Sequence, residues 1–231
     1  VAVIGAGSAG MSAYRAIKRG GDSCFLIENH LYGTTCARTG CMPSKLLIAA
    51  ANSRHNVDKA ELFGVDVEGV KVNRSNVMRR VRRERERFVN FVLDDVHDFP
   101  EEDRIQGEYY FIDNHTMRTE TGKEIKAEYF VIATGTKPYI PPIFSKVLHQ
   151  VVDTEEFFNF HILPKSICVV GTGAIGLELG QALTRLGVRT TVLGIKNSIG
   201  GISDPMIHER ANEFFENELD LHNNAEILDA N

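Results

Sequence analysis

The chain has 231 residues and a formal net charge of −5, so nothing in its overall charge draws it to nucleic acid or to an anionic membrane. Its 43% hydrophobic and 25% charged content is that of a globular protein of one or two domains, and no apolar run approaches the roughly 20 residues that span a bilayer. Four cysteines are too few for a disulfide scaffold.

The chain opens on a short apolar run, Val1 to Ile4, followed at once by Gly5-Ala-Gly7-Ser8-Ala9-Gly10. A helix is predicted from Met11 to about Arg19, closed by Gly20-Gly21, and a second strand from Cys24 to Glu28. This is strand, glycine turn, helix, strand, acid, which satisfies every contextual condition of a dinucleotide-binding fingerprint. Gly5 allows the tight turn, Gly7 lets a pyrophosphate approach the backbone, and Gly10 lets helix pack on strand. The free N–H groups of the helix start bind the phosphates. Glu28, 21 residues beyond Gly7, stands where an acid hydrogen-bonds an adenosine ribose. A glycine turn without ligand is the plain alternative.

The next stretch, Tyr32 to Lys45, holds Cys36 and Cys41 with four residues between them. In a regular helix such a pair has Cα atoms about 8.6 Å apart, whereas a disulfide needs roughly 4.4–6.8 Å. A bonded pair therefore requires a distorted turn leading into a helix, which Gly33, Gly40 and Pro43 permit. The macrodipole of that helix favours thiolate at its start. The alternatives are two structural thiols or half of a metal site. Metal pairs mostly use two to four intervening residues and a second ligand pair, while Cys24 and Cys168 lie far apart in apolar runs. A redox-active pair, with no metal, is the better reading, and it fits a reducing, cytoplasmic compartment. The start at Val1, inside a strand, leaves room for an upstream segment, so this location rests on chemistry and not on a targeting tag.

A helix is predicted over 41–57, an irregular connection over 61–71, and a long helix from Asn73 to about Val96 with Val77, Val81, Phe88, Phe91, Val92 and Val96 inward. Its six arginines between Arg79 and Arg87 are interleaved with Glu84 and Glu86 and followed by Asp94-Asp95. That pattern reads as a solvated face rather than a nucleic-acid surface. Residues 104–131 alternate like strands around a Thr121-Gly122 turn, as an antiparallel meander of about three strands ending in Tyr129–Gly135. Pro138, Pro141 and Pro142 mark an extended linker. A second βαβ unit follows: a strand from Ser166 to Val170, the turn Gly171-Thr-Gly173-Ala-Ile175-Gly176, a helix from Leu177 to Leu186, and a strand over 190–193. A helix over 205–218 and a strand start at 225–228 complete the pattern. Two such folds imply two nucleotides with electron transfer between them.

Taken in order, Gly5-x-Gly7-x-x-Gly10…Glu28, Cys36-x4-Cys41-Met-Pro-Ser-Lys45, Ala133-Thr134-Gly135 and Gly171-x-Gly173-x-x-Gly176 make the chain similar to the class I pyridine nucleotide–disulfide oxidoreductases, and within them to the dihydrolipoamide dehydrogenase branch. The resemblance covers all 231 residues. It implies an α/β fold of two Rossmann-like dinucleotide-binding domains, three-layered in ββα/βαβ fashion, the first carrying the small meander. The first domain would take FAD and span 1–150. The second, incomplete, would take NAD(P) and span 151–231. A further C-terminal interface domain would lie outside this chain.

By the same resemblance Gly5, Gly7, Ser8, Ala9 and Gly10 hold the FAD pyrophosphate and Glu28 its ribose. Thr35 contacts the phosphates, the Tyr109 backbone the adenine, and Ala133, Thr134 and Gly135 close over the flavin. Cys41 is the thiolate against the ring, Cys36 exchanges with substrate, and Lys45 neutralises charge there with Glu178 as its partner. Gly171, Gly173, Ile175 and Gly176 bind the nicotinamide nucleotide. Gly194 stands as far beyond Gly171 as Glu28 beyond Gly5, so a ribose-binding acid is missing, and Lys196 tolerates a 2′-phosphate. NAD is favoured with NADP not excluded, and Gly194→Glu is expected to sharpen the choice. Gly33-Thr34-Thr35 and Ala37-Arg38-Thr39 depart from the family's G-G-T-C-x-N-x-G-C pattern. The implied full-length form is a homodimer acting on a small dithiol or disulfide or a lipoyl protein, its His-x4-Glu base supplied by the missing domain. His97/Glu102 and His208/Glu213 have that spacing by chance. Relatives acting on a glutathione-type disulfide or on mercuric ion, and a non-catalytic nucleotide-binding module, are the competing readings.

Overall fold

The computed structural model describes residues 1–230. It divides into two compact units: residues 1–42 with 85–139, and 43–84 with 140–231.

In the first unit β1 (Ala2–Ile4) runs into α1 (Ser8–Arg19) and β2 (Phe25–Glu28). A single helical turn, α2 (Thr35–Arg38), precedes α3 (Cys41–Asp58), which continues into the second unit. α4 (Arg74–His97) spans both units. After it come β3 (Arg104–Gln106), β4 (Tyr110–Asp113), β5 (Thr116–Arg118), β6 (Glu124–Lys126) and β7 (Phe130–Ile132). The main sheet is parallel, in the order β3-β2-β1-β7, and the meander is β4-β5-β6. The meander is therefore narrower than the alternation over 104–131 suggests. β3 pairs with β2 in the main sheet, and Gly107, at φ 144°, turns the chain out of it. β1 is buried at Ala2 and Val3 because a central parallel strand is covered on both faces. Val3, Met11, Tyr14, Leu26 and Val96 form one core, and Ala2, Ile27, Met117 and Ile125 join the sheet to the meander. The Tyr14 hydroxyl donates to Asp103 Oδ2 at 2.5 Å, and Lys18 Nζ pairs with the same carboxylate at 2.9 Å, which anchors α1.

In the second unit α5 (Thr154–Phe157) leads to β8 (Ser166–Val170), α6 (Ala174–Arg185), β9 (Arg189–Leu193), α7 (Pro205–Glu216) and β10 (Asp220–His222). The sheet is parallel in the order β10-β9-β8. Its third strand falls at Asp220–His222 and not at 225–228. Leu221 pairs with Val192, and Ala225 N then donates to Gly194 O, which carries the chain off the strand path. Leu47, Met78, Val81, Phe158, Leu163 and Leu183 are the largest fully buried side chains of this unit's core.

On α4 the buried residues are Met78, Val81, Val89 and Val96, while Phe91 is 67% exposed and Phe88 is also exposed. The buried stripe thus runs beside the two phenylalanines: Phe88, seven residues after Val81, lies at its edge, and Phe91 falls outside it. The proline-marked linker becomes a 3-10 run over Pro142–Gln150. Among the described residues no helix is long and apolar enough to cross a membrane.

Candidate functional site

Both glycine turns sit at the carboxyl ends of parallel strands, where ligands bind in open α/β sheets. In the first, Gly5 has φ 102°, and a Cβ there would lie 2.3 Å from the Ala133 carbonyl oxygen. The turn is thus pressed against Ala133-Thr134-Gly135, whose Ala133 N donates to Ile4 O at 2.8 Å. A Cβ on Gly10 would meet Gly5 O at 1.8 Å, whereas one on Gly7 would project into open space. Gly7 is the N-cap of α1 and no side chain caps the helix start, so the first amides, at Ser8 and Ala9, remain for a phosphate. Glu28 closes this mouth: Oε2 accepts from Ala6 N at 2.8 Å, and Oε1 from Asn29 N and His30 N at 3.0 Å each. Tyr109 lies half-buried on the far side of Gly107, whose N–H donates to Glu28 O at 2.9 Å. A bare-backbone turn, an open helix start and a carboxylate fixed at the strand end fit the diphosphate and ribose of FAD.

The cysteine segment follows the same logic. Gly33 has φ 122°, and Thr34, at φ 50° and ψ 145°, holds a β-branched residue in a region that favours glycine. Thr34 Oγ1 accepts from Ala37 N at 3.2 Å and caps α2. Arg38 Nε donates to Tyr32 O at 2.8 Å, and a Cβ on Gly33 would come within 2.6 Å of that guanidinium. Both departures from the family pattern therefore serve this corner, one as cap and one as clamp. At Gly40 space is the requirement: a Cβ would lie 3.0 Å from Thr35 O and 3.3 Å from Cys36 Cα. That close approach stacks the first residue of α3, Cys41, against α2. The two cysteines are free thiols, and Cys41 lies close enough to Cys36 to act on its titration. Cys41 is exposed and Cys36 half-buried. Burial first, and then the neighbouring Cys41 sulfur, hold the Cys36 thiol above its ordinary value. Thr35, at the start of α2, is exposed. Two thiols this close can interconvert with a disulfide, releasing or taking up two electrons and two protons.

Lys45 lies one turn beyond Cys41 on α3, and Glu178 lies on α6. Both are exposed, and the structure forms no ion pair between them among the described residues.

The second turn repeats the first. Gly171 has φ 118°, a Cβ on Gly176 would meet Gly171 O at 2.0 Å, and Gly173 is the N-cap of α6 with open space before it. Ile175 stands 63% exposed on the first helical turn. The strand end differs. Gly194 is buried, and a Cβ there would lie 2.6 Å from Asn223 Oδ1 and from Thr172 Oγ1 and Cγ2. Gly194→Glu alone therefore requires Thr172 and Asn223 to move aside before it can act on nucleotide choice. Lys196 is exposed in a left-handed conformation at φ 57°. Thr172 and Asn223 carried no signal in the sequence: Thr172 was a variable position of the fingerprint, and Asn223 reaches it only through the β9–β10 pairing.

The sequence model of the family described as pyridine nucleotide-disulphide oxidoreductase matches residues 1–231. Dihydrolipoyl dehydrogenase of Geobacillus stearothermophilus is 30% identical over 196 residues, which cover 82% of this chain and 41% of that protein. Mercuric reductase of Lysinibacillus sphaericus is 30% identical over 208 residues, 90% of this chain and 38% of that protein. Among solved structures, the HOCl-induced flavoprotein disulfide reductase RclA from Escherichia coli aligns with a TM-score of 0.74 at 25% identity, over 96% of this chain and 47% of that one. The chain spans less than half the length of these relatives.

Proposed function

Because the chain belongs to the pyridine nucleotide-disulphide oxidoreductase family, whose members use FAD and NAD(P), we propose that it moves electrons between a nicotinamide nucleotide and a substrate disulfide or dithiol through the Cys36–Cys41 pair. The single observation that carries this reading is the apposition of Cys36 and Cys41 by the Gly40 contact, in a chain that also carries a flavin-compatible glycine turn. FAD, when bound, supplies two-electron exchange with both the nicotinamide and a thiol. The chain's own residues do the rest. Gly5, Gly7, Ser8, Ala9 and Gly10 receive the diphosphate, Glu28 the ribose, and Thr35, Tyr109 and Ala133–Gly135 border the rest of the cofactor. Cys36 and Cys41 close to a disulfide with loss of two electrons and two protons, and the reverse step reopens them. Lys45, one turn beyond Cys41 on α3, balances negative charge there without the Glu178 ion pair that the family resemblance gives it.

The substrate of this reading is dihydrolipoamide, small or carried on a protein, with the polypeptide acting as a homodimer in its full-length form. Similarity to dihydrolipoyl dehydrogenase favours it. Mercuric ion is the second reading, favoured by the mercuric reductase match at equal identity. Steady-state assays of the full-length, flavin-loaded polypeptide with dihydrolipoamide, glutathione disulfide and mercuric ion separate them. Turnover is expected with dihydrolipoamide, at least about tenfold above the others. NADPH-dependent reduction of mercuric ion without dihydrolipoamide turnover would replace this reading by the second one.

A further inference from the structure

Glu28 closes the first nucleotide fold, but Gly194 closes the second, and two other residues fill the place its side chain would take. Gly194 is not in a left-handed conformation, so what requires glycine there is space. The occupants are Thr172, 4% exposed, and Asn223, 6% exposed. Both are pinned. Thr172 Oγ1 donates to Ser198 O, and Gly200 N donates to Thr172 O at 2.7 Å. Asn223 Nδ2 donates to Asn197 Oδ1 at 3.0 Å and to Asn212 Oδ1 at 2.8 Å, while Asn197 N donates to Asn223 O at 3.1 Å. Gly194 is itself tied on both sides, its N–H to His222 O at 2.8 Å and its carbonyl to Ala225 N at 2.8 Å. Neither occupant can swing aside without breaking these bonds.

We infer that Thr172 and Asn223 are specificity-determining residues of the second nucleotide site: by filling the space of a side chain at position 194, they exclude a strand-end carboxylate and keep the site open to both NAD and NADP. This rests on the proposed binding of a nicotinamide nucleotide at Gly171–Gly176. A carboxylate at that strand end selects NAD by accepting from the ribose 2′-hydroxyl and by repelling a 2′-phosphate. With Thr172 and Asn223 in its place, both effects are lost. Lys196 is the one charged side chain between Gly194 and Ser203, and it is exposed, so it meets a 2′-phosphate without repulsion.

The test compares flavin reduction by NADH and NADPH, and binding of NAD and NADP, in the flavin-loaded protein and its variants. In the parent, the two nucleotides are expected to differ by less than about tenfold, since one charged hydrogen bond accounts for roughly ten- to a hundredfold. Gly194→Glu alone is expected to weaken both nucleotides. The triple variant Thr172→Gly, Asn223→Ala, Gly194→Glu is expected to shift the preference toward NADH by about ten- to a hundredfold. Three results would overturn the inference: a parent already selective beyond a hundredfold, a folded triple variant with an unchanged ratio, or a Gly194→Glu variant that sharpens NAD preference with no loss of affinity. Thermal unfolding gives an arm independent of nucleotide and serves if the triple variant does not fold. Gly194→Ala should lower Tm in the parent and much less in the Thr172→Gly, Asn223→Ala background, and equal losses would show that the two residues do not fill the space. If neither NADH nor NADPH reduces the flavin in the parent, the wider functional reading fails, while the thermal comparison still decides the packing claim.

Discussion

Thr34 is the residue at which local cost and local use can be separated. Its φ of 50° costs a β-branched side chain about 1–3 kcal/mol, while its hydroxyl caps α2 through Ala37 N. Losing such a cap to glycine costs only a few tenths of a kcal/mol, and to alanine about 1 kcal/mol. Thr34→Gly is therefore expected to be more stable than the parent and Thr34→Ala less, read by denaturant unfolding of each; the opposite order would mean that the corner is not strained. The cysteines give a second prediction at this scale. Cys41 is the exposed sulfur and Cys36 the half-buried one with a raised pKa, so at neutral pH Cys36 carries less thiolate than an ordinary thiol. Limiting alkylation of flavin-free protein should label Cys41 first, and FAD lying against Cys41 should redirect the reagent to Cys36. Peptide mapping checks this, and an order unmoved by FAD would place the flavin elsewhere. The sequence already carried this pair, the glycine turns and Glu28, because each depends on short-range spacing. Thr34's strain and the Thr172–Asn223 filling of the Gly194 site were not readable, since they are set by backbone dihedrals and by a contact between strands distant in sequence.

Among the elements, α6 is held to the turn after α7 by one guanidinium. Arg185 forks onto Glu218, with Nη2 at 3.0 Å from Oε2, and its Nη1 reaches Asn52 Oδ1 on α3 at 2.8 Å. Gln181 Nε2 adds a bond to Glu218 at 2.7 Å. Burial works against the charge on Glu218, but hydrogen bonds from Arg185 and Gln181 prevail and hold its carboxyl below the usual range. A carboxyl depressed by folding adds stability above its unfolded pKa of about 4.3, and that stability is lost as pH falls through the folded value. Glu218→Gln should therefore lower stability by about 1–3 kcal/mol at pH 7, with the gap closing below about pH 4. A gap independent of pH, measured by urea unfolding across that range, would remove the ion pair as its source. The helices and βαβ units were legible because their periods and glycine signals agree. β3 and β10 were not, since three-residue strands carry too little pattern and are fixed by partners: β3 by β2, and β10 by β9 through Leu221 and Val192. Phe88 and Phe91 read as inward positions of a helical period, yet the buried residues of α4 are Met78, Val81, Val89 and Val96.

At the scale of the whole molecule, the chain carries the same device twice. Each of its two units sets a parallel sheet behind a glycine turn, and each turn uses its third glycine to let the helix close on the first glycine's carbonyl. They differ at the strand end, where one keeps Glu28 and the other is closed by Thr172 and Asn223 over Gly194. The device serves electron transfer only if the first turn brings a flavin to the thiol at the head of α3. Absorption spectroscopy of the FAD-loaded protein with Cys36→Ser and with Cys41→Ser tests this most directly. Cys36→Ser leaves one sulfur, Cys41, at the first residue of α3. It is expected to show a long-wavelength thiolate-to-flavin band without reductant, while Cys41→Ser binds FAD as fully and shows none. A band that survives in Cys41→Ser and is lost in Cys36→Ser would contradict the account.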